Sequence, residues 1–142
     1  MSFQTTFERP HNSVSLPMRA LATICITTAR LLVRLQVTAL VRVLTLVSRN
    51  ARPATHWQAE RSRDAVIVSS IYCADQNGCL LRSTSAALLC LVRYQRWPAW
   101  LVGVQERAPF AAHAWIEADA TPVGEAKLIS QFRPLIEVSA GP

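Results

Sequence analysis

The hydrophobic pattern of this chain changes period once, just after Arg96, and that change limits the folds open to it. Before it, apolar residues recur at helical spacing through 17–50 and again through 79–94. After it, short alternating runs at 97–105, 111–118 and 121–125 read as antiparallel strands, separated by Pro109 and by Ala118-Asp119-Ala120. Helices first and strands after is α+β grammar. The expected architecture is a set of N-terminal helices packed on a central helix that begins at Cys79, followed by a small antiparallel sheet. A length of 142 residues suits one domain with a sizeable core. We expect a flexible tail over 1–16 and a single domain over 17–142.

Ser15 and Pro17 read as a helix start. From Arg19, the arginines at 19, 30, 34, 42 and 49 fall at about 0°, 20°, 60°, 140° and 120° on a helical wheel. They share less than half the circumference and leave a wide apolar face. A break is expected near Gln36 and Val37. Residues 50–62, with Pro53, read as a loop, and 63–72 as a short helix leading into the turn Asp75-Gln76-Asn77-Gly78. On the 79–94 helix, Cys79, Ser83, Ala86 and Cys90 lie within about 60° of one another. Small residues there admit a sheet at close range. Leu80, Leu81, Leu88, Leu91 and Val92 face the other helices.

The hydrophobic fraction is 51%, the mean hydropathy is +0.20 and charged residues make up only 17%. Such a balance points to an apolar face kept for a partner or to membrane association. The longest uncharged stretch in the first helical region is the ten residues 20–29, short of the ~20 that span a bilayer. The net charge of +6 is uneven: 1–63 holds nine Arg and two Glu, net +7, and 64–142 holds five Arg, one Lys and seven acids, net −1. The basic half suits a solvated helix face or an acidic peptide or protein surface. No zinc-finger, RNP or helix-turn-helix signature accompanies the charge, so nucleic acid is not expected. Four cysteines, at 25, 73, 79 and 90, do not read as a disulfide framework. Cys79 and Cys90 are separated by ~16 Å of helix, beyond the ~7 Å that a disulfide bridges. The polar opening segment does not resemble a secretory signal. A cytoplasmic location follows as the expectation.

Cys79 opens a helix and His113, 34 residues later, opens a strand. A thiol in a first helical turn lies where the helix dipole and free amides favour thiolate. A histidine on a strand packed against that helix completes a nucleophile–base pair. His11 and His56 lie in polar segments, and Cys25, Cys73 and Cys90 read as structural. If 118–120 forms a three-residue hairpin loop, paired positions sum to 238 and His113 faces Glu125, about 5 Å across the ladder. Asp119 then reads as a turn residue and Glu117 as a surface or substrate-contacting residue. Both remain alternatives for the orienting acid. The Cys79 amide is the natural oxyanion donor, and Gln76 and Asn77 are candidates either for the second donor or for helix capping. Trp97, Trp100 and Trp115 are expected in the core, at least one of them lining the cleft. No CxxC or HxxxH pair, P-loop or dinucleotide fingerprint occurs, so neither metal nor cofactor is expected.

Several segments carry a resemblance in order and spacing. They are Cys79-Leu80-Leu81-Arg82-Ser83, Val102-Gly103-Val104-Gln105, Pro109-Phe110, Ala112-His113-Ala114-Trp115-Ile116-Glu117 and Phe132-Arg133-Pro134-Leu135. Over roughly 17–136 the chain resembles the leader peptidase of lasso peptide biosynthesis, the B-type protein of the transglutaminase-like superfamily. The resemblance implies a Cys79–His113–acid triad that cuts the leader from a precursor peptide, freeing the core amine for a separate cyclase. That family carries an Asp twelve residues after the His, where this chain has Glu125. Fused members also carry an N-terminal leader-recognition domain of winged-helix type. This chain is expected instead to depend on a separate leader-recognition protein docked on 17–50, with Arg30, Arg34 and Arg42 as contacts. A catalytically weak scaffold of the same biosynthetic complex and a basic membrane-surface protein are the competing expectations.

Overall fold

The computed structural model describes residues 10, 13–107, 110–124 and 129–141, with Gln76 described in its backbone only. Most of the expected 1–16 tail therefore lies outside the described residues.

Helix α1 (Leu16–Leu32) starts on Ser15 with Pro17 in its first turn, and α2 (Val37–Ser48) follows after a short break, where the sequence placed one. A two-residue strand β1 (Arg52–Pro53) leads to α3 (His56–Ser69) and the short α4 (Ile71–Ala74). A 3-10 turn, Gln76–Gly78, then delivers the chain to α5 (Cys79–Tyr94), whose bounds match the expectation. Beyond it come β2 (Arg96–Trp97), β3 (Ala99–Gln105), β4 (Ala112–Ala118), β5 (Thr121–Pro122) and β6 (Phe132–Val138).

The main sheet is antiparallel in the order β5-β4-β3-β6, and β1 pairs with β2 in a separate two-stranded parallel ladder. Helix α5 lies between the helical layer and the sheet, and every residue from Leu81 to Cys90 is buried. Full burial of a side chain such as Leu89 contributes about 1.5–3 kcal/mol. The Trp97 indole N–H donates to the Val138 carbonyl at 3.0 Å, tying the strand after α5 to the end of β6. No helix among the described residues is long and apolar enough to cross a membrane. The fold is thus the expected α+β arrangement of N-terminal helices, a central cysteine-bearing helix and a small antiparallel sheet.

Four local readings need correction. The segment 56–62 is helical, not loop: Thr55 and Gln58 form a capping box, the Thr55 hydroxyl accepting from Gln58 N–H at 3.2 Å and the Gln58 side chain accepting from Thr55 N–H at 3.0 Å. That reciprocal cap starts a helix inside a polar stretch. Pro98, without an N–H, splits the run at 97–105 into β2 and β3. The strand β6 was not anticipated, because Pro134 interrupts its pattern. It tolerates the proline because it is an edge strand and because its register on β3 shifts between Val102 and Gly103. Finally, β4 and β5 pair as Ala118 with Thr121 and Glu117 with Pro122, a register sum of 239. The loop is the two-residue turn Asp119-Ala120, with φ of 53° and 59°, the conformation of a type I′ hairpin.

Candidate active site

Cys79 is the first residue of α5, and the cap position before it is Gly78. Glycine is required there by space: an added Cβ would run into the Tyr72 carbonyl. The turn is fastened from beneath by Arg82, whose guanidinium Nη1 donates to the carbonyls of Cys73 at 2.9 Å and Asp75 at 3.0 Å. Arg82 is buried and sits three residues after Cys79, on the same helical face. It therefore brings a fixed positive charge behind the thiol while holding the approach to the helix start.

His113 comes from the opposite layer. It lies on β4, opposite Gly103 of β3, and is buried. β5 pairs only with the last residues of β4, which leaves the ladder edge beside His113 and Ala114 open on that side among the described residues. The Cys79 sulfur occupies this edge, hydrogen-bonded to the His113 side chain and to the Ala114 backbone N–H. Burial pushes the thiol pKa up. The His113 hydrogen bond, the Ala114 N–H and the positive fields of His113 and Arg82 outweigh burial and leave it below its ordinary value. The other three thiols move the opposite way. Burial raises Cys25 and Cys73, and Cys90 is pushed up to about 11 despite a hydrogen bond with Ser62. All four cysteines are free.

The imidazole plane is fixed by aromatic neighbours. It stacks on Trp115 with centroids 6.2 Å apart and 17° between planes, and lies 5.2 Å from the ring of Phe132 on β6. Gly103 makes this possible, since a Cβ there would stand 2.8 Å from the Trp115 ring and 2.7 Å from the Arg133 carbonyl. The Trp115 N–H donates to Glu117 at 3.0 Å, which makes Glu117 an anchor for that indole. The contributions of Gly103, Phe132 and Arg82 were not read from the sequence, although each lies in a segment that carries the resemblance.

Cys79 and His113 open on an apolar cleft of about 330 Å³, lined by Leu35, Leu40, Trp100 and Val102 among others. The cleft runs between the α1–α2 junction, the start of α5 and the helix-facing side of β3–β4. Trp97, Trp100 and Trp115 are all buried, as expected, with Trp100 in the cleft wall.

Asp119 is a turn residue, and its carboxylate accepts the first amide of α3, His56 N–H, at 2.9 Å. It lies six positions beyond His113, roughly 20 Å along the strand at ~3.3 Å per residue. The register of 239 replaces the 238 on which the pairing of His113 with Glu125 was based. Glu125 itself lies outside the described residues, as does the Gln76 side chain. Asn77 is exposed, and the acceptor in that turn is the Asp75 carboxylate, which receives Asn77 N–H at 3.4 Å. Capping of α5 by Asn77 is therefore not what the structure has. Arg30 and Arg34 line a neighbouring cleft, which Arg42 does not.

The family model described as the transglutaminase-like superfamily matches residues 22–137. No curated protein and no solved structure matches the chain. The match runs from α1 through β6 and so takes in the helix-start cysteine, the strand histidine and the cleft between them: the chain belongs to the transglutaminase-like superfamily.

Proposed function

We propose that the protein is a cysteine peptidase that removes the leader from a lasso peptide precursor. The observation that carries the reading is the half-buried Cys79 sulfur bonded to His113 at the start of α5, the one thiol of four whose pKa is lowered. His113 takes the Cys79 proton, and the thiolate adds to the scissile carbonyl carbon. The carbonyl oxygen gains the charge, with the Cys79 amide at the helix start as donor. The imidazolium then protonates the leaving amine, which departs as the free core N-terminus. Water, deprotonated by His113, attacks the resulting thioester and releases the leader carboxylate and the Cys79 thiol. Glu125 is the proposed orienting acid, on the strength of the family resemblance.

A separate leader-recognition protein delivers the precursor in this reading, and a separate cyclase takes the product. Support for such a partner is the exposed apolar surface of the two helices, Ile24 and Leu31 on α1 and Leu46 and Val47 on α2, the latter helix also exposing Arg42. Holding the leader against this chain makes delivery of the scissile bond nearly intramolecular. Four free thiols suit a reducing compartment, in keeping with the cytoplasmic expectation.

The test is mass spectrometry of a candidate precursor incubated with wild-type protein and with Cys79→Ala. Cleavage should vanish in the variant while its circular dichroism stays unchanged, since alanine is a good helix former at an exchanged small site. Cleavage by Cys79→Ala at the wild-type rate removes Cys79 from the mechanism.

A further inference from the structure

A second cleft, of about 480 Å³, adjoins the active-site cleft. The two share Val33 and Leu80 in their linings and are therefore immediate neighbours. Their linings differ in character. The cleft at Cys79 is walled almost wholly by aliphatic and aromatic side chains. The second has Arg30, Arg34, Tyr72 and Asn77 in its lining beside Val33, Leu80 and Leu81. Arg30 lies in the last turn of α1 and Arg34 in the turn that follows the helix, and both line this cleft. No carboxylate lines either cleft, and no ion pair to Arg30 or Arg34 forms among the described residues.

We infer that this pair of clefts is the substrate-selecting groove of the Cys79 site: it takes an extended peptide that places an apolar side chain beside the scissile bond and an acidic side chain, a few residues away, between Arg30 and Arg34. The inference rests on the peptidase reading and specifies its substrate. Charge complementarity identifies the occupant. Two adjacent arginines above an apolar floor attract a carboxylate by paired, charge-assisted hydrogen bonds. The same feature disfavours a lysine at that position. Arg30 and Arg34 thereby separate from Arg42: two of the three arginines face the substrate path, and the third remains on the outer surface of α2.

Protection of Cys79 from alkylation tests this without knowledge of the natural precursor. The probes are short synthetic peptides with Leu at the centre and, on both flanks, either Asp or Lys. The readout is the rate at which iodoacetamide modifies Cys79 as peptide is added, resolved by peptide mapping. The Asp peptide should protect Cys79, and the Lys peptide should protect about tenfold more weakly. In the double variant Arg30→Glu, Arg34→Glu the order should reverse. Both positions are exposed, so the fold survives the change. Arg19→Glu, exposed and outside both clefts, should leave the order as in the wild type. Equal protection by the two peptides overturns the inference, as does an Asp preference that survives the double reversal. Failure of the peptidase reading looks different: Cys79 then reacts with iodoacetamide no faster than the buried thiols, whatever peptide is present.

Discussion

Burial raises the pKa of any thiol, so a single lowered thiol among buried ones has to be explained by its neighbours. At Cys79 the neighbours are His113, the Ala114 N–H and Arg82. Arg82 holds two positions at once, since its guanidinium also carries the Cys73 and Asp75 carbonyls. Arg82→Met should therefore move the midpoint of Cys79 alkylation to higher pH, and should cost roughly 1–3 kcal/mol for the buried carbonyls left unpaired. Arg82→Lys should recover part of the pH shift, because the charge returns. An unchanged pH profile in Arg82→Met would reduce Arg82 to a structural clamp. The acids can be separated in the same way. Glu125→Gln should lower turnover more than Asp119→Asn. Asp119 is engaged at the start of α3, and asparagine keeps an acceptor there and tolerates the positive φ. A larger loss of turnover in Asp119→Asn would refute the assignment of Glu125.

At the scale of elements, the site depends on two close approaches that only glycine permits. Gly103→Ala would force the Trp115 ring off β3 and with it the stack that fixes the His113 imidazole. Overpacking of that kind costs roughly 1–3 kcal/mol, and turnover should fall further than stability alone explains. A variant with wild-type turnover and lowered melting temperature would show that the stack does not orient His113. The start of α3, which meets the β4–β5 turn at Asp119, gives a purely structural control: Thr55→Ala should cost about 1 kcal/mol through loss of the capping box, read by thermal unfolding. The helix α5 was legible to its end residues, because its apolar run begins after a Gly turn and meets a strand signal at once. The break after α1 was legible too. The start of α3 was not, because a capping box in a polar stretch gives little apolar periodicity. Nor was β6, whose period is broken by Pro134. The hairpin register was missed by one position, since a three-residue and a two-residue loop over 118–120 look alike until the two positive φ values are known.

Over the whole molecule, the helices and the sheet contribute one group each to the Cys79–His113 hydrogen bond. Cys79 and His113 are 34 positions apart in sequence, and it was the motif segments around them, together with their placement at a helix start and a strand start, that singled them out. What spacing does not convey is the open edge of β4, where the sulfur finds a backbone donor, or the division of the arginines between a cleft and an outer face. If the α1–α2 surface receives a leader-holding protein, Arg42→Glu should weaken that protein's stimulation of cleavage. Undiminished stimulation would place the docking site elsewhere.

The most direct test of the central claim is the pH dependence of iodoacetamide alkylation at each of the four cysteines, resolved by peptide mapping, in wild type and in His113→Ala. A thiol reacts as its thiolate, so a lowered pKa shows as reactivity that sets in at lower pH. Cys79 should react before Cys25, Cys73 and Cys90 as pH rises, and His113→Ala should move its onset upward toward theirs. Onset at the same pH for all four thiols, or a Cys79 profile unmoved by His113→Ala, would contradict the nucleophile–base pair on which the proposed peptidase depends.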